Sequence, residues 1–255
     1  MSPIHPDAEQ GFSRSPDTYM RGRPDYPPEI SSWLTEVIGL GPDKIAVDLG
    51  AGTGKFTRYL LGTGASVIAV EPVDAMRAKL MAVLPDVDAR AGTAEAMPLP
   101  AASVDAVLCA QAFHWFATAE VLTEIHRVLK PGGMLGLVWN LQDRRVSWVS
   151  ALATIVAPYR GETPQVYTGE WRCIFPADGF GPLEELVIPH SHRGPAQQVI
   201  IDRVLSTSSI AALPAQEQAA IVAQLNQLIA STPALAGKRE VVFPYETRAF
   251  ACRKL

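Results

Sequence analysis

The residues best able to do chemistry lie in one short turn, Asp48-Leu49-Gly50-Ala51-Gly52-Thr53-Gly54, and in two acids further along, Glu71 and Glu95. Glycines at alternate positions leave the backbone bare, so that a ligand can lie directly against it. Three kinds of ligand use such turns. A phosphate-binding loop requires a glycine five residues before a Gly-Lys pair and Ser or Thr after it, but Leu49 and Phe56 occupy those positions. A dinucleotide turn requires G-x-G-x-x-G, and its last position falls on Lys55 or Thr57 in the two registers. What remains is an acid followed by G-x-G-x-G. An acid closing the next strand can accept hydrogen bonds from both ribose hydroxyls of a nucleoside, and Glu71 stands there.

These residues need strands and helices to hold them. Lys44 to Leu49 is a short apolar run with one acid, Ser66 to Val70 is a second, Val87 to Ala91 a faint third, Val104 to Ala110 a buried fourth and Met134 to Trp139 a fifth. Helical spacing connects them: Ile30 to Ile38 before the first strand, Lys55 to Leu61 after the turn, then Val73 to Leu84 and Thr118 to Leu129. Strands alternating with helices imply a parallel sheet covered on both faces. After Asn140 the pattern loosens into a helix near Val146 to Ala157, an aromatic stretch to Phe180, a strand at Leu183 to Pro189, helices at Pro195 to Leu205 and Pro214 to Ile229, and a closing strand over Glu240 to Arg253. Asp105, at the start of the fourth strand and far from the ligand end, reads as structural.

The segment Val47 to Gly54, V-D-L-G-A-G-T-G, resembles the first motif of the class I S-adenosylmethionine-dependent methyltransferases. Gly92 to Pro100, Gln111 to Phe116 and the turn Pro131-Gly132-Gly133 resemble later segments of the small-molecule, type 11-like branch, and Tyr19 to Pro27 resembles its amino-terminal arm. The resemblance implies an α/β, doubly wound, mostly parallel seven-stranded Rossmann-like sheet with helices on both faces and a helical insertion before the last strand. It also implies S-adenosylmethionine as cofactor. Asp48 would orient its amino-acid portion, and the backbone of Gly50, Ala51, Gly52, Thr53 and Gly54 would lie against it. Glu71, followed by Pro72 and Met76, would hold the ribose side, while Thr93, Ala94 and Glu95 would stand near the adenine. Ala110, Gln111 and Phe113 would complete the crevice. Tyr19 and Arg23 either close over the cofactor or form a solvated arm.

His114 follows the fourth strand where the methyl group would be presented, so it is either a base or a packing histidine. Trp115, Trp139 and Asn140 are candidates for contact with the acceptor, and the aromatic residues among them are alternatively core. Methyl transfer from a sulfonium is a direct displacement that needs alignment more than acid or base. The expected function is transfer to a small-molecule acceptor, with O- or carboxyl-methylation favoured. A non-catalytic S-adenosylmethionine-binding regulator or scaffold has the same motifs, and an oxidoreductase on a related sheet is disfavoured by the failed dinucleotide pattern.

Composition bounds the rest. With 255 residues, 48% apolar and 19% charged, the chain is expected to be one methyltransferase domain over 1–255, with an arm at 1–28, a cofactor-binding core at 44–140 and a variable acceptor-side region at 141–255. A net charge of −4 without basic clusters speaks against a nucleic-acid partner. Cys109, Cys173 and Cys252 lie far apart, which suggests free thiols and no metal site. The first residues lack a signal-peptide layout, and no apolar run reaches the roughly 20 residues of a membrane span. A cytoplasmic monomer or homodimer without membrane contact is expected.

Overall fold

The computed structural model describes residues 22–161 and 164–255. The apolar runs become β1 (Ile45–Leu49), β2 (Ser66–Val70), β3 (Asp88–Arg90), β4 (Val104–Ala110) and β5 (Leu129–Gln142), and the late strands are β6 (Glu184–Gly194) and β7 (Val241–Arg253). They form one seven-stranded sheet in the order β3-β2-β1-β4-β5-β7-β6. All pairs among the first five strands are parallel, whereas β7 runs antiparallel to both β5 and β6. Strand order reverses beside β1, so a crevice opens at the carboxyl ends of β1 and β4.

Side chains alternate across the sheet and bury two cores. On one face Val47, Val107, Cys109, Leu135 and Leu137 pack with Val121, Leu122 and Ile125 of an amphipathic helix, Ala119–Val128. On the other face Ala46, Ala106, Leu108 and Val138 meet Ile30, Trp33 and Leu34 of α1 (Glu29–Glu36) and Leu60 of α2 (Thr57–Leu61). In chain order α3 (Asp74–Val83) follows β2, so the Ala119–Val128 helix is α4. The Thr118 hydroxyl caps α4 by accepting from the Val121 amide at 3.3 Å.

A third core lies under the insertion. It gathers Trp148, Val149 and Leu152 of α5 (Ser147–Val156), Val199 to Val204 of a π-helical turn (Gln197–Asp202) that runs into α6 (Arg203–Leu205), Ile210 of α7 (Ser208–Ala211), and Ile221 and Leu225 of α8 (Ala215–Ser231). Phe243 and Tyr245 at the start of β7 form its floor.

Two strands exceed their sequence expectation. β5 begins at Leu129, because the Pro131-Gly132-Gly133 turn is absorbed into an irregularity where the register with β4 shifts between Val104 and Ala106. Asp105 fixes this spot: its carboxylate accepts from Lys130 Nζ at 2.7 Å, from the Ile45 amide at 3.0 Å and from Lys44 Nζ at 3.3 Å. Burial pushes its pKa up, but these donors outweigh burial and hold it below the ordinary value. β6 runs through Pro189 to Gly194, since an edge strand tolerates a residue without an amide proton.

Candidate cofactor and acceptor site

The turn after β1 is built as a bare cradle. Gly50, Gly52 and Gly54 have φ of 71°, 58° and 82°, the left-handed region that favours glycine. Their roles differ. A Cβ on Gly50 would stand 2.7 Å from that of Ala112, and one on Gly54 would stand 2.9 Å from Leu84 Cδ1 and 3.0 Å from Leu80 Cγ, so these two let the turn pack. Gly52 meets only Met76 Cε, at 3.7 Å, and is the glycine whose bare side is open.

Glu71 ties this cradle to β2. One carboxylate oxygen accepts from the Gly52 amide at 2.8 Å and the other from the Val73 amide at 2.9 Å. Burial raises its pKa, against the lowering influence of those two amides and of Arg77. Asp48 lies deeper. Its Oδ2 accepts from Thr57 Oγ1 at 2.6 Å, while Oδ1 is buried without a partner, as is the Thr53 hydroxyl. Burial, partly opposed by the Thr57 hydroxyl and reinforced by the nearby Glu71 charge, moves the Asp48 carboxyl up to about 7.

An inner cavity opens against the turn, lined by Asp48, Gly50 to Thr53, Ala110, Gln111, Asn140 and residues of the arm. The arm is strapped down. Arg23 donates from Nε to Ser206 Oγ at 3.2 Å and from Nη2 to the Ser206 carbonyl at 3.1 Å. Lys55 Nζ donates to the Arg23 carbonyl and pairs with Asp25 at 3.1 Å, and Asn140 donates to the Asp25 carbonyl at 3.1 Å. Gly22 packs so tightly that a Cβ would stand 2.6 Å from the backbone of Asp202 and Arg203.

A second cavity adjoins the first and shares Arg23, Gln111, Asn140 and Arg203 with it. Its other lining residues include His114, Trp115, Arg160, Tyr167 and Thr207. Gln111 at the junction has φ of 63°, a sparsely populated conformation for a residue with a side chain, held by its amide donating to the Val138 carbonyl at 2.8 Å. Tyr167 is fixed as a wall: its hydroxyl accepts from the Gln142 amide at 2.8 Å, and the Arg144 guanidinium lies 3.6 Å over its ring.

The structure brings Arg23, Asp48, Gly50, Ala51, Gly52, Thr53, Ala110, Gln111 and Asn140 to the inner cavity and His114 and Trp115 to the outer one. Pro72, Met76, Thr93, Ala94 and Glu95 follow β2 and β3 as the sequence suggests, but line neither cavity. Tyr19 lies outside the described residues. Phe113 and Trp139 stand apart from both of these cavities. Phe113 has no exposed surface to offer a cofactor, since it packs against Phe116, Trp171 and Phe175 in the core. Trp139 is likewise buried and lines neither of these two cavities, but it does line a third one beside Leu141, Gln142, Tyr167 and Trp171; its indole donates from Nε1 to His114 Nδ1 at 3.2 Å. Sequence reasoning missed Arg160 and Arg203, although a charged residue inside the apolar run Val199 to Leu205 was a signal for the second.

The sheet order, the bare turn and the acid closing β2 define an α/β protein that holds a nucleoside at the carboxyl end of its first strands. A methyltransferase-domain family model matches residues 47–137. A methyltransferase-like protein of Schizosaccharomyces pombe is 39% identical over 237 residues, 92% of each chain, and an uncharacterized methyltransferase of Mycobacterium tuberculosis is 39% identical over 247 residues, 94% of each. Among solved structures, a chain assigned as a type II methyltransferase from Anaeromyxobacter dehalogenans superposes with a TM-score of 0.64 at 26% identity, covering 91% of this chain and 96% of that one. YcgJ of Bacillus subtilis, at 17% identity and a TM-score of 0.57 over 89% and 98% of the two chains, shares the fold. The chain belongs to the class I S-adenosylmethionine-dependent methyltransferases, and S-adenosylmethionine is its cofactor.

The residues present fit that cofactor. The open side of Gly52 admits a ligand against the backbone, and the buried, unpartnered Asp48 Oδ1 and Thr53 Oγ1 belong to residues that line the same cavity. An ammonium group is a natural partner for such a carboxylate.

Proposed function

We propose that this enzyme methylates a carboxylate oxygen of a small-molecule acid. The observation that carries the proposal is the charge of the outer cavity. Arg23, Arg160 and Arg203 line it, and no Asp or Glu does so among the described residues. Arg160 donates to Gln165 Oε1 at 2.9 Å and Arg203 to Thr207 Oγ1 at 3.3 Å, so both are held by neutral groups, and Arg203 Nε is buried without a partner. Burial chiefly, then the neighbouring Arg144 and Arg203 charges, lowers the Arg160 pKa. Arg160 and Arg203, held by neutral groups in a confined space, are costly until an anion joins them, and a carboxylate suits a guanidinium geometrically.

Bound against the turn, with its amino-acid part in the inner cavity and its nucleoside reaching past the ends of β2 and β3, S-adenosylmethionine would supply a methyl group on a sulfonium, whose loss leaves a neutral thioether. Asp48 and the Gly52 turn would hold its amino-acid part and Glu71 its ribose, while Thr93, Ala94 and Glu95 would flank the adenine. Arg160 and Arg203 would orient the acid, and the strapped arm would exclude water. A carboxylate is already ionised at neutral pH, so no residue has to remove a proton. Soluble, cytoplasmic action on a metabolite as a monomer or homodimer belongs to the same proposal. It is supported by the free cysteines and by the finding that no helix among the described residues is long and apolar enough to cross a membrane.

Labelled methyl transfer to a panel of small carboxylic acids, with matched amides and alcohols, tests the proposal. Acids alone should accept methyl, giving base-labile esters, and Arg160→Ala or Arg203→Ala should raise KM about tenfold or more, the scale of a charged hydrogen bond. Methylation of the alcohols with the acids inert would rule out the carboxylate.

A further inference from the structure

Trp139 and His114 together fix the position of one proton. An indole Nε1–H can only donate, so its 3.2 Å contact makes His114 Nδ1 an acceptor. The proton of the neutral ring therefore sits on Nε2, for which no hydrogen-bond partner stands among the described residues, in a side chain that lines the outer cavity. We infer that His114 is a fixed hydrogen-bond donor to the acceptor's oxygen and not a base, with Trp139 as the positioning residue that keeps the Nε2–H turned to the cavity. The identity of that oxygen as carboxylate rests on the function proposed above.

Three observations support this assignment. Burial, and secondarily the nearby Arg23 guanidinium, lowers the His114 pKa to about 3, so the ring stays neutral. Among the described residues, the charged groups sharing the cavity are Arg23 from the arm, Arg160 beyond α5 and Arg203 in α6, all cations, so none of these favours an imidazolium. Trp139 is also immobilised. Its ring lies 4.5 Å from that of Trp171 and 5.8 Å from that of Phe250, and Trp115 stacks obliquely on His114 at 5.5 Å. A donor to one carboxylate oxygen leaves the other oriented for attack. Because the acid loses charge as it is methylated, this hydrogen bond is no stronger at the transition state, so its loss should appear in KM more than in kcat.

Nitrogen NMR of histidine-labelled, ligand-free enzyme tests the proton assignment directly. The expected spectrum has an unprotonated Nδ1 and a protonated Nε2 at His114, unchanged from about pH 5.5 to 8.5. A ring that titrates in this range, or one protonated at Nδ1, overturns the inference. With an acid taken from the panel, His114→Gln, whose amide can accept from Trp139 and donate to the cavity, should keep KM within about threefold, whereas His114→Ala should raise it about ten- to hundredfold. Equal losses in the two variants, carried by kcat and by a lost limb in the pH profile, would identify a base instead. Benzothienylalanine at position 139 keeps the shape of the indole without its N–H. It should produce mixed His114 tautomers, and an unchanged spectrum would remove Trp139 from the positioning role. If the wild-type spectrum is as expected while no acid is methylated, the carboxylate proposal fails and the proton assignment stands.

Discussion

Asp48 and Glu71 are two buried acids beside one turn, and their surroundings give them different work. Glu71 already spends one lone pair on each of two backbone amides, so removing it unhinges Gly52 as well as a ligand contact. Glu71→Ala should weaken binding of S-adenosylhomocysteine, measured by calorimetry, by roughly 1.5–3 kcal/mol. Asp48 keeps a free oxygen and titrates near neutrality in the ligand-free protein. Its folded pKa of about 7 lies above the unfolded value of 3.8, so between these limits the folded state binds more protons and stability falls as pH rises. Asp48→Asn removes that loss. Denaturant melts of the two ligand-free proteins should agree near pH 4 and diverge in favour of the variant, by an amount on the order of 4 kcal/mol, above pH 7. Both acids were legible in the sequence because chain order alone places them at strand ends. Arg160 was not, since chain packing after α5 brings it to the cavity and no motif marks it, and Arg203 was signalled only by a charge inside an apolar run. Trp139 has two roles at once. Its residue type and place after the fifth strand suggested a pocket wall, and in the structure it both packs into the core and lines a third cavity beside Tyr167 and Trp171.

At the scale of elements, the central strands leave almost no slack. A Cβ on Gly136 in β5 would overlap Leu108 in β4 and stand 2.9 Å from Trp33 of α1 and 3.1 Å from Ile38. Gly136→Ala should therefore cost about 1–3 kcal/mol of stability in denaturant melts, an overpacking penalty, with little effect on the cofactor turn. The runs that became β1, β2 and β4 matched their sequence expectations within one residue, because each is apolar on both sides and bounded by a turn. Limits were harder to read where tertiary contacts extend an element. β5 begins early because Asp105 captures Lys130 through a bulge, and β6 continues past Pro189 because pairing with β7 on one side suffices at an edge.

Across the whole molecule, the first strands supply a nucleoside crevice, while the end of β5, α5, the stretch 164–167 and the α6–α7 segment line the outer cavity in which an acceptor would rest. Saturating S-adenosylhomocysteine, at about a hundred times its Kd, should add about 2.7 kcal/mol of stability and raise Tm by about 5–10 °C for a chain of this size. NAD should leave Tm unchanged in the same thermal scan, as the failed dinucleotide pattern requires; a matching rise with NAD would contradict it. The four side chains common to both cavities, Arg23, Gln111, Asn140 and Arg203, have one further consequence. Two guests that touch the same partition cannot be thermodynamically independent. By linkage, whatever factor the spent nucleoside imposes on affinity for the acid is returned undiminished by the acid upon the nucleoside, so the stability of the dead-end complex of the two is set by a single coupling energy.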